Sequence, residues 1–147
     1  MRLIPLYRAR FTTPRRWTVD LGGLHGSEAL SLLFAEGRCE GRVAASLQAV
    51  NVPRRRADDV LTPDFHGVLE TDDGATILFA WQGYARAPID GVRRLVGAMT
   101  HLSDDDRYRW LNDVVCAVNG VVAPRPDGDG TEVTIEVSEL VWEPVAT

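Results

Sequence analysis

Turn-forming residues punctuate this chain so closely that few segments between them are long enough for an ordinary helix. "TTPRR", "LGGLHG", "AEGRCEGR", "PRRRADD", "TDDG", "RAPIDG", "SDDD" and "RPDGDG" follow one another at short intervals. Many short segments between such signals predict an all-β sandwich or barrel. The clearest strand runs from Thr131 to Val141, with Val133, Ile135, Val137 and Val141 on one face and Glu132, Thr134 and Glu136 on the other. Glu139 breaks the apolar face, either as a buried acid or as the point where the strand leaves the core. Val114 to Val122 is the strand expected before it. Gly37 and Gly41 flank Cys39 where a barrel strand would bend or two backbones would approach closely.

"HGVLETDDGATILFAWQGYAR", residues 66 to 86, reads as a hairpin. Asp-Gly between strand-forming runs favours a two-residue type I′ turn, because both residues tolerate positive φ. Asp73-Gly74 is therefore the expected corner. Asp72 either caps the turn through local hydrogen bonds or, as a carboxylate at a barrel mouth, faces a ligand.

"LSDDDRYRWLNDVVCAVNG" supports two readings. Ser103 with Asp106 three residues on, and Leu111, Val114, Val115 and Val118 at helical spacing, suit a helix. A strand would instead put Tyr108, Trp110, Asn112, Val114, Cys116 and Val118 on one face. Local pattern does not separate the two. A further helical turn is expected near Ile89 to Val96.

The 147 residues suffice for one domain with a sizeable core, and 45% apolar with 25% charged residues is ordinary globular composition. No apolar run is long enough for a membrane helix, and "MRLIPLYRARF" lacks the features of a signal peptide, so a cytoplasmic protein is expected. Cys39 and Cys116 lack metal-motif spacing and are too few for a disulfide framework; Cys116, in "VVCAV", reads as a small buried hydrophobe. All sixteen basic residues are Arg, which excludes lysine imine chemistry. A net charge of −5 and the lack of a basic stripe with interleaved aromatics argue against nucleic acid or anionic membrane as partner. No dinucleotide fingerprint, phosphate loop or nucleophile elbow is present, so no cofactor is expected.

"PDFHGVLETDDGATI" resembles the most recognisable motif of the bacterial family catalogued as domain of unknown function 3237, an Asp-x-Arg pair, a strand, then Thr-Asp-Asp-Gly-Ala and an aliphatic residue. "RYRWLNDVVCAVNG" is similar to that family's Tyr-x-Trp-Leu-Asn strand, and "FAEGRCEGRV" to its Gly-Thr-Phe-x-Gly segment. The matches fall in order and span residues 31 to 120. The resemblance implies a small antiparallel β-barrel, lipocalin-like or calycin-like in general shape, with a polar-lined cavity and "RYRWLND" as a strand. It implies no settled reaction. Two departures stand out: His66 replaces the family's Arg and Cys39 its Phe. An arginine only binds an anion, whereas histidine also moves a proton near neutral pH.

Asp64 and His66 lie two apart and share a strand face that continues with Val68. If Val68 is core, they enter the cavity as a general acid–base pair; otherwise they are a solvated strand end. In "NVPRRRADD", Asn51 and the arginines Arg54, Arg55 and Arg56 offer donors for a carboxylate, phosphate or enolate oxygen, or form a solvated loop offset by Asp58 and Asp59. Tyr108, Trp110 and Asn112 would shape a pocket, with Asn112 as substrate hydrogen-bonder or structural clamp. His101 is a further substrate-side candidate; with His66 and a carboxylate it lacks any short metal-ligand motif, so no metal is expected. His25 is expected to be exposed in its Gly-rich turn.

The expectation is one β-barrel domain over residues 1–147. Its leading function is cofactor-independent acid–base chemistry on a small aromatic or polyketide-like molecule: isomerisation, cyclisation, hydration or elimination. His66, tuned by Asp64, would move the proton, while an arginine with Asn112 would stabilise an oxyanion. A non-catalytic carrier or sensor barrel and a structural, self-associating barrel are the alternatives. A homodimer is a further expectation, since small barrels commonly pair.

Overall fold

The computed structural model describes residues 1–22 and 29–147. Its strands are β1 (Arg2–Asp20), β2 (Ala29–Gly41), β3 (Ala45–Asn51), β4 (Arg54–Arg55), β5 (Leu61–Thr62), β6 (Asp64–Thr71), β7 (Thr76–Ala85), β8 (Arg93–Leu102), β9 (Val115–Pro124) and β10 (Thr131–Val141). Eight of them close into an up-and-down antiparallel barrel in the order β1, β2, β3, β6, β7, β8, β9, β10 and back to β1. The two-residue β4 and β5 bridge β2 to β7 at one end. Among the described residues, no helix is long and apolar enough to cross a membrane.

Alternation explains the core. Leu33, Ala35 and Cys39 of β2, Ile77, Phe79 and Trp81 of β7, and Val133, Ile135 and Val137 of β10 are all buried, while their neighbours in sequence are more exposed. Each large apolar side chain removed from water contributes about 1.5–3 kcal/mol. Small residues let the sheet curve tightly. A Cβ on Gly37 would lie 2.0 Å from the Arg10 carbonyl oxygen and 2.6 Å from the Phe11 Cα, so β1 and β2 can approach this closely only at a glycine.

Strand β10 runs from Thr131 to Val141 as its alternation predicts. Glu139 stays partly buried and its Oε2 lies 3.3 Å from the Arg42 guanidinium. The β6–β7 corner falls at Asp72-Asp73-Gly74, but it is not the expected two-residue type I′ turn. Gly74 donates its N–H to the Thr71 carbonyl, Thr71 donates to the Ala75 carbonyl, and of the three corner residues only Gly74 has positive φ, at 90°. That is a three-residue connection ending in a left-handed glycine.

Three further expectations are corrected. "TTPRR" is no turn: β1 passes through it with one extra residue between Thr12 and Arg15, a β-bulge against β2. Ile89 to Val96 is not helical; Ile89 and Val92 close a tight hairpin that leads into β8. "RYRWLND" is not a strand but a 3-10 turn over Arg109–Asp113, and β9 starts only at Val115. The reason is local. Ser103 Oγ accepts from the Asp105 N–H, Asp105 Oδ1 and carbonyl accept from the next backbone donors, and Asn112 bonds both the N–H and the carbonyl of Ser103. These side-chain contacts outcompete a ladder and drive Leu111, fully buried, into the barrel end.

Candidate functional site

The two ends of the barrel differ. One is sealed by the 3-10 turn, by the β2–β3 and β6–β7 hairpins, and by buried Leu6, Val43 and Leu111. The other opens into a cavity of about 430 Å³. That volume suits a small organic molecule.

Its floor is aromatic. The rings of Phe65 and Trp81 stack with centroids 4.4 Å apart, and Leu33, Leu95 and Val133 complete the apolar wall. The register of the β6–β7 hairpin pairs Phe65 with Trp81 across the strands, so both rings enter the same space. Trp81 is almost fully buried, yet its indole N–H has no acceptor among the described residues. The rim is polar. Arg16, Thr18 and Asp20 of β1, Ser31 of β2, Asn51 of β3, Arg55 of β4 and Arg93 of β8 all line it. Arg55 lies 3.2 Å from Asp20 Oδ2, and Asp20 also accepts from the Gly22 N–H. Arg93 donates to the carbonyls of Asp59 and Arg86 and to Asp59 Oδ1.

The residues predicted from sequence scatter over the molecule. Asn51 and Arg55 do line the cavity; Asn51 Oδ1 accepts from the Asp64 N–H at 2.9 Å, which fixes the chain where β6 begins. Arg54 is exposed beside it, and Arg56 pairs with Asp58, as a solvated loop would. Asp64 and His66 share a face, with His66 Nε2 3.2 Å from Asp64 Oδ1, but the face is the outer one. Phe65 and Leu69 take the inside of β6, and Val68, which pointed the pair inward on sequence grounds, is not core. His66 instead lines a shallow outer groove with Arg15, Phe34, Gln48 and Leu78.

Asp72 is on the exterior and pairs with Arg38, whose guanidinium holds the carboxyl below its ordinary range. Tyr108, Trp110 and Asn112 sit at the sealed end, away from the cavity. Tyr108 donates its hydroxyl to Asp73 Oδ2 at 2.8 Å, Trp110 lies under the Arg42 guanidinium, and Asn112 is the clamp on Ser103. Asp64, His66 and Asn112 therefore do not converge.

His101 is buried in the sealed half. Its Nε2 is 2.9 Å from the Tyr7 hydroxyl and its Nδ1 4.0 Å from Cys116 Sγ, and burial pushes its pKa down to about 4. Both cysteines are buried and free, with thiols pushed up to about 11, mainly by burial. Cys116 is thus the inert core residue its setting suggested. Among the described residues, no group of three or more His, Cys, Asp or Glu is placed to hold a metal ion. His25 lies outside the described residues.

Sequence reasoning named Trp81 only as aromatic surface mostly explained by core packing, and missed Arg16, Phe65 and Arg93. Two signals were available. Phe65 and Trp81 are equidistant from the Asp73 corner, so a hairpin centred there pairs them. Pro14 within a long strand-forming run marks a bulge, and a bulge changes which residues face in.

No family model matches this chain. No curated protein matches it either. Solved structures do. A β-barrel-like protein from Acinetobacter baumannii AYE superimposes with a TM-score of 0.75 at 19% identity, covering 95% of this chain and 96% of that one. A protein of unknown function from Clostridium acetobutylicum ATCC 824 gives 0.74 at 14% identity, over 94% and 97% of the two chains. An enzyme from Penicillium herquei gives 0.62 at 20% identity, over 92% and 93%. The chain shares its β-barrel fold with all three.

Proposed function

We propose that this barrel binds a small aromatic or polyketide-like molecule in its open-end cavity, as a carrier or sensor. The observation that carries the reading is the stacked Phe65–Trp81 floor beneath a rim of arginines and hydroxyls. A flat ring system gains both apolar burial and stacking there. The resemblance of "PDFHGVLETDDGATI" to domain of unknown function 3237 fits the same picture, and membership of that family is part of the proposal.

A catalytic barrel is the second reading, favoured by the likeness to the Penicillium herquei enzyme. In that case the rim guanidinium groups stabilise a developing oxyanion, and proton transfer by His66 has no place in the cavity. Asp20, the one carboxylate in the lining among the described residues, is engaged with Arg55 and the Gly22 N–H. Self-association draws support from Trp17, Leu32 and Phe34, which are exposed together on the outer face of β1 and β2.

A thermal-shift screen against aromatic and polyketide-like compounds tests the binding reading, since a ligand of the folded state raises Tm. Hits should survive Asp64→Asn and His66→Gln and disappear in Ser31→Phe, which fills the cavity from its wall. Hits that persist in a folded Ser31→Phe protein would overturn the assignment of the site. Turnover of a hit compound would then favour the enzyme over the carrier.

A further inference from the structure

Among the described residues, three arginines and one aspartate line the open-end cavity of a chain whose net charge is −5. Two of those arginines are already committed: Arg55 to Asp20, and Arg93 to Asp59 and the Arg86 carbonyl. Arg16 makes no ion pair or side-chain hydrogen bond among the described residues. An unpaired arginine on a surface is ordinary, so its placement has to carry the argument.

The placement comes from the bulge. Before it, and after an earlier register shift between Pro5 and Tyr7 where Leu6 is buried, the inward residues of β1 are Tyr7, Ala9 and Phe11, on odd numbers. Between Thr12 and Arg15 the strand advances three residues against two on β2, from Glu36 to Phe34. Beyond it every β1 residue from Pro14 to Asp20 is solvent-exposed, but even-numbered Arg16, Thr18 and Asp20 line the cavity mouth, Arg16 opposite buried Leu33, while Trp17 pairs with outward Leu32. Arg15, next in sequence, lies on the outer face with its guanidinium 5.2 Å from the Trp17 ring centroid and 5.6 Å from that of Phe34. One inserted residue thus re-aims an arginine from the outside of the barrel to the inside.

We propose that Arg16 is the anion-recognising residue of the cavity and that the ligand is an aromatic or polyketide-like molecule bearing a carboxylate or enolate oxygen. This rests on reading the cavity as the binding site. A guanidinium offers five donors in a planar fork, which matches a carboxylate in bidentate fashion. Thr18 and Ser31, whose hydroxyls lie 2.8 Å apart in the same lining, supply further polar contacts to the head group. The ring system rests on Phe65.

The test compares 2-naphthoate with its neutral counterpart 2-naphthamide by calorimetric titration at neutral pH, using wild type, Arg16→Gln and the outward-facing control Arg15→Gln. Wild type and Arg15→Gln should bind the acid at least about ten-fold more tightly than the amide, the scale of one charge-assisted contact. Arg16→Gln should erase that preference while keeping the amide affinity. Arg16→Lys, which keeps charge but loses the fork, should retain part of it and serves if the Gln variant does not fold. Undiminished acid preference in Arg16→Gln overturns the inference. Equal binding of acid and amide by wild type overturns it too and leaves the cavity reading intact, whereas binding of neither probe overturns both.

Discussion

The sealed and open ends of this barrel are built from the same strands, yet one is filled with side chains and the other is left hollow. At the sealed end polar side chains are spent on backbone and on one another: Asn112 on Ser103, Ser103 on the Thr76 carbonyl and Tyr108 on Asp73. Their combined effect is to hold Leu111 as a plug. At the open end Arg55 and Arg93 are paired as well and the Thr18 and Ser31 hydroxyls lie 2.8 Å apart, but these groups border an unfilled space, and Arg16 makes no ion pair or side-chain hydrogen bond among the described residues. Closing that end with apolar side chains would gain packing energy, so leaving it open costs stability. An end that forgoes packing and presents donors is where a ligand contributes what the chain does not.

The largest expected effect bears directly on this contrast. Leu111→Ala removes a fully buried plug and should cost about 2–5 kcal/mol in urea unfolding. Leu33→Ala, in the wall of an existing cavity, should cost roughly 2 kcal/mol, at the low end of that range. Equal costs would break the contrast between a packed and an unpacked end.

Acid should sharpen it further. Above the ordinary imidazole value of 6.5, His101 is neutral in both states and its contribution is fully present. As pH falls from 6.5 towards about 4, the unfolded chain takes up a proton that the buried ring refuses, so stability drops. The loss across that window is about 3 kcal/mol. Wild type minus His101→Gln, followed by denaturant unfolding at each pH, should show it. A difference that stays flat over this range would mean that the sealed half is open enough to solvate the charge.

The smallest effect lies outside the barrel altogether. Asp72→Asn breaks an exposed pair with Arg38 and should leave the unfolding midpoint at neutral pH close to that of wild type, because solvent screens such pairs. A marked loss would show that the corner, and not only its neighbour the 3-10 turn, helps to seal the end.

Much of the architecture was legible in the residues themselves. Alternation gave β10 its limits, the Asp-Gly corner placed β6 and β7, and the close-approach glycine at Gly37 was recognisable from its strand context. The turn at Arg109–Asp113 was not, because its cause is a set of side-chain hydrogen bonds reaching from Asn112 back to Ser103 and Asp105, and neither helical nor strand periodicity records them.

The site was the least legible part, and the physical reason is parity. Alternation in β6 defines two faces, Phe65 with Leu69 and Asp64 with His66, but says nothing about which face a closed sheet encloses. Val68 suggested one answer; cross-strand pairing of Phe65 with Trp81 decided the other. In β1 a single extra residue reversed the faces again and turned Arg16 inward. The sequence alone determined the all-β class, strand β10 and the hairpin of β6 and β7. Only closure of the barrel decided which of their side chains meet in the cavity, because inside and outside are properties of the whole sheet and a shift of one residue exchanges them.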